Sequence, residues 1–298
     1  GMSDAESRAL QLLSHEVLPS KRAHEIAFLD LALRRGEMTK EDVGRALELA
    51  GLPASEKLIE STIDTFTLDG FAEADTTRYG APLAERLGED GVRLSSNFRD
   101  SYANSPHFAA AVDDIIQTGG ELVDREYREG DPFAPGRQYS RKEVARLLCW
   151  PRKWQSTLYG YKTAMGDCPI FVTLHKADDV GASTRYDDQL IDVSSMVWST
   201  RSRRTLRSAE IQPIINNEAS LYVFVKKDDA EGTDFYFLGR ANAYDPFETS
   251  MPNDRGDPLS VVHMILRFEK PIPAALFDYF HPTVTIDSMA TTGVGARV

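Results

Sequence analysis

The sequence predicts an α+β protein, an N-terminal helical region followed by a mainly antiparallel β-sheet or small β-barrel with flanking helices. Apolar residues recur at helical spacing through the first 130 positions, and short runs rich in Val, Ile, Tyr and Phe crowd the remainder. Between them EYREGDPFAPGRQ is polar and rich in Gly and Pro, which marks a linker near residues 128–138. Two domains follow from this reading, an acidic helical interaction region over 1–130 and a strand-rich, nucleic-acid-reading region over 131–298.

In the first region Ile26, Leu29 and Leu33 share a helical face and Gly36 follows its end. Thr39 and Asp42 form a capping-box pair that opens TKEDVGRALELAG. SEKLIESTIDTFTLDG then stacks Ile59, Ile63 and Phe66 before Gly70. Three short helices before FAEADTTRYG leave a winged-helix arrangement open, but Glu56, Glu60, Asp64 and Asp69 on the third have the wrong sign for reading DNA. A further helix is expected from Ser105, with Pro106 at its first position and Phe108, Val112 and Ile115 inward, stopping at Gly119-Gly120.

In the second region TLYGYK, CPIFVTLH, SLYVFVKK, DFYFLGRA and LSVVHMILRFE read as strands, and PAALFDYF as a closing helix. Alternation in LYVFVKK places Tyr222 and Phe224 on one face and Leu221, Val223 and Val225 on the other.

Charge divides the same way. Of the 298 residues, the first 130 carry 14 Lys+Arg against 25 Asp+Glu, while the rest carry 20 against 21. A polyanion is repelled by the first half, so any nucleic-acid contact belongs to the second. Cys149 and Cys168 lack CxxC spacing and read as two buried thiols of a reducing cytoplasm. No apolar run reaches membrane-span length, the N-terminus lacks a signal pattern, and Gly1 before Met2 reads as an expression remnant.

Two basic stretches stand out. In YSRKEVARLLCW, Ser140 and Glu143 form a capping box and Val144, Leu147 and Leu148 an apolar stripe, with Arg141, Lys142 and Arg146 toward the other side. PRKWQSTLYGY stands where a helix-turn-helix would place its second helix, but it lacks the turn glycine. A capped helix packed on a sheet is the plainer reading. TRSRRTLRS carries Arg201, Arg203, Arg204 and Arg207 with no acid before Glu210. Guanidinium groups grip phosphates bidentately, and a loop paired with the acidic half would look the same in sequence. Of the many aromatics, among them Tyr161, Tyr186 and Trp198, most must be core, and Trp198 beside the arginines is the preferred base-stacking ring. No GxxxxGK[ST] loop occurs, and His175 and His263, each alone in a strand, read as satisfied structural residues. Asp187, Asp188 and Glu210 before Gln212 resemble a Mg²⁺-nuclease centre only at a spacing that chance supplies often.

YSRKEVARLLCW, LYGYK, CPIFVTLHK, TRYDDQL, VWSTRSRRTLRS, LYVFVKKDD and DFYFLG, in that order, resemble the C-terminal domain of large bacterial superfamily-two DEAD/DEAH-type helicases, often preceded there by a phospholipase-D-like nuclease domain. The resemblance spans roughly 100–280. Neither the helicase phosphate loop nor an HxK motif is present, so those activities do not follow. What the resemblance implies is an accessory module of a DNA-processing or phage-restriction system, here standing without the helicase core, and by fold-level analogy one that reads a modified base.

The expectation is therefore a non-enzymatic nucleic-acid-binding module using Arg141, Lys142, Arg146, Tyr161, Lys162, Trp198, Arg201, Arg203, Arg204 and Arg207. No catalytic residue, metal ligand or cofactor is assigned. DNA is the expected partner, beside a helicase or nuclease protein. The competing readings are a protein-interaction module docking on such a partner and, more remotely, a metal-dependent nuclease.

Overall fold

A computed structural model describes residues 1–18, 21–175 and 188–281. Tyr186, Asp187 and most of TRYDDQL lie outside them. The first half holds helices α1 (Asp4–Leu12), α2 (His24–Arg34), α3 (Lys40–Leu49), α4 (Glu56–Thr67), α5 (Glu73–Tyr79), α6 (Ser96–Asn104) and α7 (Pro106–Leu122). Strands β1 (Glu37–Thr39), β2 (Ala84–Leu87) and β3 (Gly91–Leu94) form a small antiparallel sheet in the order β1-β3-β2. Helix α2, strand β1, the three helices α3, α4 and α5 and the β2–β3 hairpin succeed one another, a winged-helix order with the short α5 added before the hairpin.

Local chemistry starts these helices where the sequence expected. Thr39 and Asp42 close a capping box on α3, and Ser3 with Glu6 closes another on α1 that the sequence reading missed. Ile63 and Phe66 of α4 are fully buried, and Leu68 in the left-handed conformation ends that helix before Gly70. The acids of α4 are not a free face: Arg86 pairs with Glu60, Asp64 and Asp69, and Lys40 with Glu60. Helix α7 runs through Gly119-Gly120 to Leu122, contrary to the expected stop. A Cβ on Gly119 would stand 2.7 Å from the Ile26 methyl, so this glycine permits the close approach of α7 to α2.

Beyond the linker, β4 (Gln138–Tyr139) leads into α8 (Arg141–Leu147), capped by Ser140 and Glu143 as expected. A curled half-barrel follows from β5 (Asp167–His175), β6 (Gln189–Asp192), β7 (Ser195–Ser199), β8 (Ser220–Asp228), β9 (Phe235–Pro252) and β10 (Pro258–Phe268), in the order β5-β8-β9-β10-β7-β6, with β4 pairing β9. All pairs are antiparallel except β5–β8, which runs parallel with Cys168 opposite Leu221. Short helices α9 (Gln212–Ile215) and α10 (Ala274–Phe280) complete the half. TLYGYK is not a strand. A 3₁₀ turn over Arg152–Thr157 precedes it, Gly160 has φ +75°, and only an isolated bridge from Tyr161 to Ile170 joins it to the sheet.

Both faces of this sheet are covered. Leu221, Val223 and Val225 enter a core with Ile170, Trp198, Met264 and Leu266, while Tyr222 and Phe224 join Phe133, Tyr139, Phe171, Phe235 and Phe237 on the other side. The second cluster is rich in aromatics, and Phe133 meets Tyr139, Tyr222 and Phe224 edge-on at 5.0–5.3 Å, a favoured ring geometry. Cys168 is buried and Cys149 half-buried, so one of the two expected buried thiols is less enclosed. Both thiols are free, and burial pushes the Cys168 thiol up to about 12.

Candidate nucleic-acid interface

The open edge of the half-barrel supplies the site. Strand β5 ends one side of the sheet and the β7–β6 pair the other, and a cavity of about 180 Å³ lies where they face each other. Its walls are Phe171, Val172 and Thr173 of β5, Trp198 and Ser199 of β7, Asp188 just before β6, Gly160 and Tyr161, with Arg141 and Arg201 at its margin. Four of these, Arg141, Tyr161, Trp198 and Arg201, belong to the residues expected from sequence. Phe171, Thr173 and Ser199 were not foreseen, because no local pattern shows that two strands far apart in the order curl toward one another.

Rings and guanidinium groups are fixed against each other here. Tyr161 meets Trp198 edge-on at 5.1 Å, and the Arg201 guanidinium lies over the Tyr161 ring at 4.3 Å. Arg201 donates to the Tyr161 carbonyl at 2.9 Å, and its Nε is buried without a hydrogen-bond partner among the described residues. Such a donor costs free energy until something accepts from it. Trp198 is 2% exposed, so it is a wall and not a free stacking platform. Tyr161 is equally enclosed, and burial pushes its phenol well above the ordinary tyrosine range. On the polar side the Ser199 amide donates to Asp188 at 2.8 Å, and the Ser199 hydroxyl lies 2.7 Å from Nδ1 of His263. His263 is thus a strand histidine whose ring is satisfied by a hydroxyl, in keeping with the structural reading of it.

Glu210 organises the arginine loop. It accepts from the Tyr161 hydroxyl at 3.0 Å, approaches Arg201 at 3.5 Å and pairs with Arg204. This hydrogen bond holds the Arg204 guanidinium more firmly protonated than usual. The loop lies along β10, where the Thr200 amide donates to the Val262 carbonyl and the Arg203 amide to the Ser260 carbonyl. Arg203 and Arg207 are exposed, so half of the expected phosphate-gripping set faces outward.

The first basic stretch is placed otherwise. Arg141 stays beside the cavity, its Nε donating to the Leu158 carbonyl and its guanidinium over Phe171 and Phe235. Burial lowers its proton affinity. Lys142 instead pairs with Glu16 at 2.5 Å and Asp75 at 2.9 Å, and Arg146, 2% exposed, donates to the Glu16 carbonyl at 2.6 Å. The helix face expected to be outward is therefore buried against the N-terminal half. Lys162 lies over the Trp154 ring at 4.7 Å, apart from the cavity walls.

Asp188 and Glu210 bind different partners, Asp187 lies outside the described residues, and no group of three or more His, Cys, Asp or Glu among the described residues could hold a metal. No described helix is long and apolar enough to cross a membrane.

The fold and site define a class: an α+β protein whose helical, winged-helix-like half carries a curled half-barrel with an aromatic and cationic edge cavity. Within that class, residues 133–280 match the model of a domain of unknown function, DUF3427, and residues 1–128 that of another, DUF8090. No curated protein matches the chain. Among solved structures, the DNA modification-dependent restriction endonuclease AspBHI aligns at 13% identity over 49% of this chain and 79% of that one, with a TM-score of 0.32. The sulfur binding domain and SRA domain of ScoMcrA complexed with phosphorothioated DNA aligns at 11% identity over 92% and 95%, with a TM-score of 0.31. These likenesses are distant and carry no weight for function at such scores.

Proposed function

We propose that the protein is a non-enzymatic nucleic-acid-binding module that admits one exposed or flipped base, modified or not, into the half-barrel edge cavity. The observation that carries this reading is the convergence of Tyr161, Trp198 and Phe171 with Arg141 and Arg201 around a single opening. At about 180 Å³ the cavity is below the roughly 300–1,000 Å³ of drug-sized sites, so it suits a base better than a whole nucleotide. Aromatic walls recognise a base face, Arg201 offers a donor, Asp188 brings a carboxylate, and a flipped base presents its pairing edge to such groups. Exposed Arg203 and Arg207 on the adjoining loop supply charge for the flanking phosphates. The proposed setting is an accessory role beside a helicase or nuclease in DNA processing or phage restriction, with DNA as the partner.

The test is fluorescence anisotropy at low salt with single- and double-stranded DNA and RNA, including duplexes with a mismatched or modified base. Salt-sensitive binding, strongest where a base is easily extruded, weakened in Arg201→Ala and lost when Arg201, Arg203 and Arg204 all become Ala, is expected. Absence of binding to every probe would overturn the reading. It would leave the protein-interaction alternative, for which a partner retained in a pull-down after nuclease digestion is the expected sign.

A further inference from the structure

Between Leu158 and Tyr161 the chain turns one ring outward. Leu158 is fully buried and Tyr161 is 2% exposed, whereas Tyr159 is 67% exposed. Gly160, at φ +75°, makes the tight turn between the two tyrosines, with the Tyr161 amide donating to the Tyr159 carbonyl at 2.9 Å. Tyr161 thus becomes a wall of the edge cavity, while Tyr159, joined to it through the cavity-lining Gly160, stands on the rim.

A lone exposed ring needs no explanation by itself. This one is firmly held. Every carbonyl from Leu158 to Tyr161 is bonded: Leu158 accepts from Arg141 Nε at 2.7 Å, Tyr159 from the Tyr161 amide, Gly160 from the Phe171 amide at 2.6 Å, and Tyr161 from Arg201 at 2.9 Å. Behind the ring lies the Arg141 guanidinium, 5.6 Å from its centroid, and that guanidinium rests in turn over Phe171 and Phe235. Among the described residues no other ring packs on Tyr159, whereas the exposed Phe247 stacks on His263 and Tyr279 packs against Tyr236. Tyr159 is therefore a pre-positioned aromatic surface beside the opening.

We propose that the edge cavity takes its base from a single strand of nucleic acid, and that Tyr159 stacks the adjacent base of that strand on the rim. This rests on the cavity reading above and adds the class of substrate. An aromatic platform accepts any base by its π-face, and an unpaired strand offers such faces freely. In a duplex the inner bases are stacked on both sides, so laying one on Tyr159 means unstacking a second base besides the one in the cavity. Charge favours the same substrate. A duplex carries one charge per about 1.7 Å of its axis, and the half of the chain that holds the cavity is near neutral beside an acidic half. Lys142 and Arg146, which would have extended a basic track, are taken up at the seam between the two halves. The cations that stay by the cavity, Arg141, Arg201 and the outward Arg203 and Arg207, suit the phosphates of one strand.

Fluorescence anisotropy of the full chain with two kinds of labelled short DNA strand tests this, one abasic except for a single base and one with two adjacent bases. Each of the four bases, plain and methylated, is tried in turn. The second base should tighten binding roughly five- to 150-fold, beyond the twofold that comes from offering either base to the cavity. In Tyr159→Ala the two strands should bind alike within that twofold, and Tyr159→Phe should keep the gain. Tyr159 is exposed, so both variants should keep the wild-type circular dichroism. A gain that survives Tyr159→Ala, or no gain in the wild type, overturns the proposal and leaves the cavity reading standing. So does tighter binding of a duplex of equal length in which the same two bases are mismatched. Binding of neither strand nor duplex overturns both.

Discussion

The two basic stretches are alike in sequence and opposite in fate. Arg141, Lys142 and Arg146 precede the strands, Arg201, Arg203, Arg204 and Arg207 lie among them, and both follow short polar caps or turns. Helix α8 meets the acidic N-terminal half, so Lys142 and Arg146 are taken up by Glu16, Asp75 and the buried cluster around Glu25. Among the described residues the loop after β7 forms its ion pairs with one acid, Glu210, which engages Arg201 and Arg204 and leaves Arg203 and Arg207 outward. A basic residue becomes a clamp or a contact according to the charge that the fold brings opposite it. The acidic balance of the first half is then partly an internal matter, neutralising cations of the second.

The strongest way to break this comparison is to remove the acid at the centre of the clamp. Glu25→Gln leaves three buried arginines around a neutral amide, and loss of one partner from a buried charge cluster costs roughly 3–5 kcal/mol. Urea denaturation should show the midpoint falling sharply while the half-barrel edge keeps its residues. The same group sets an acid limit. Burial alone would raise the Glu25 carboxyl, but Arg22 beside it, with Arg146 and Arg152, brings it down to about 2 in the folded protein. Its folded value is thus below its unfolded one, so its contribution is present above the unfolded value near 4.5 and is lost as pH falls toward 2. Stability of the wild type should drop steeply over that window, and in Glu25→Gln the drop should be shallower.

What the sequence could and could not disclose follows the same division between local and distant causes. Caps at Thr39 and Ser140 were legible because partner and donor sit three residues apart. The two faces of LYVFVKK were legible from alternation alone. Gly119 was misread as a stop because the reason for it is Ile26, ninety-three positions away in the chain and 2.7 Å away in space. Strands β6 and β7 went unnoticed beside the arginines, and the parallel pairing of β5 with β8 leaves no periodic mark. Of the site, the residue types were visible while their grouping was not. Arg141, Tyr161, Trp198 and Arg201 line the cavity, whereas Lys142 and Arg146 belong to the seam. The hydrophobic pattern of α8 marks an inner stripe but says nothing about a second partner covering its polar side.

At the half-barrel edge the expected effects are smaller in stability and larger in binding. Arg201→Ala removes a guanidinium that is 39% exposed at the side chain and lies over Tyr161. If it contacts a base, affinity for the preferred probe should fall by roughly 1–3 kcal/mol, with discrimination between probes relaxed. Denaturation midpoints should move little. Equal losses on every probe would make Arg201 a phosphate contact and weaken the distinction between cavity and loop.

The finest discrimination comes from exchanging one lysine for one arginine across the comparison. Lys142→Ala breaks two half-buried ion pairs and should cost about 1–2 kcal/mol of stability, because Glu16 is left 5% exposed with one cation fewer. Its nucleic-acid affinity should not change. Arg203→Ala should do the reverse: no loss of stability, a uniform few-fold loss of affinity, and a salt dependence shallower by about one phosphate contact. Burial of the Glu16 carboxyl is offset first by Lys142 and then by Tyr79, which together hold it below its ordinary value. In Lys142→Ala that offset shrinks, so the folded Glu16 value rises and its share of stability should be lost at a higher pH than in the wild type. A Lys142→Ala chain that keeps its acid profile and loses nucleic-acid affinity would place both basic stretches on one binding surface.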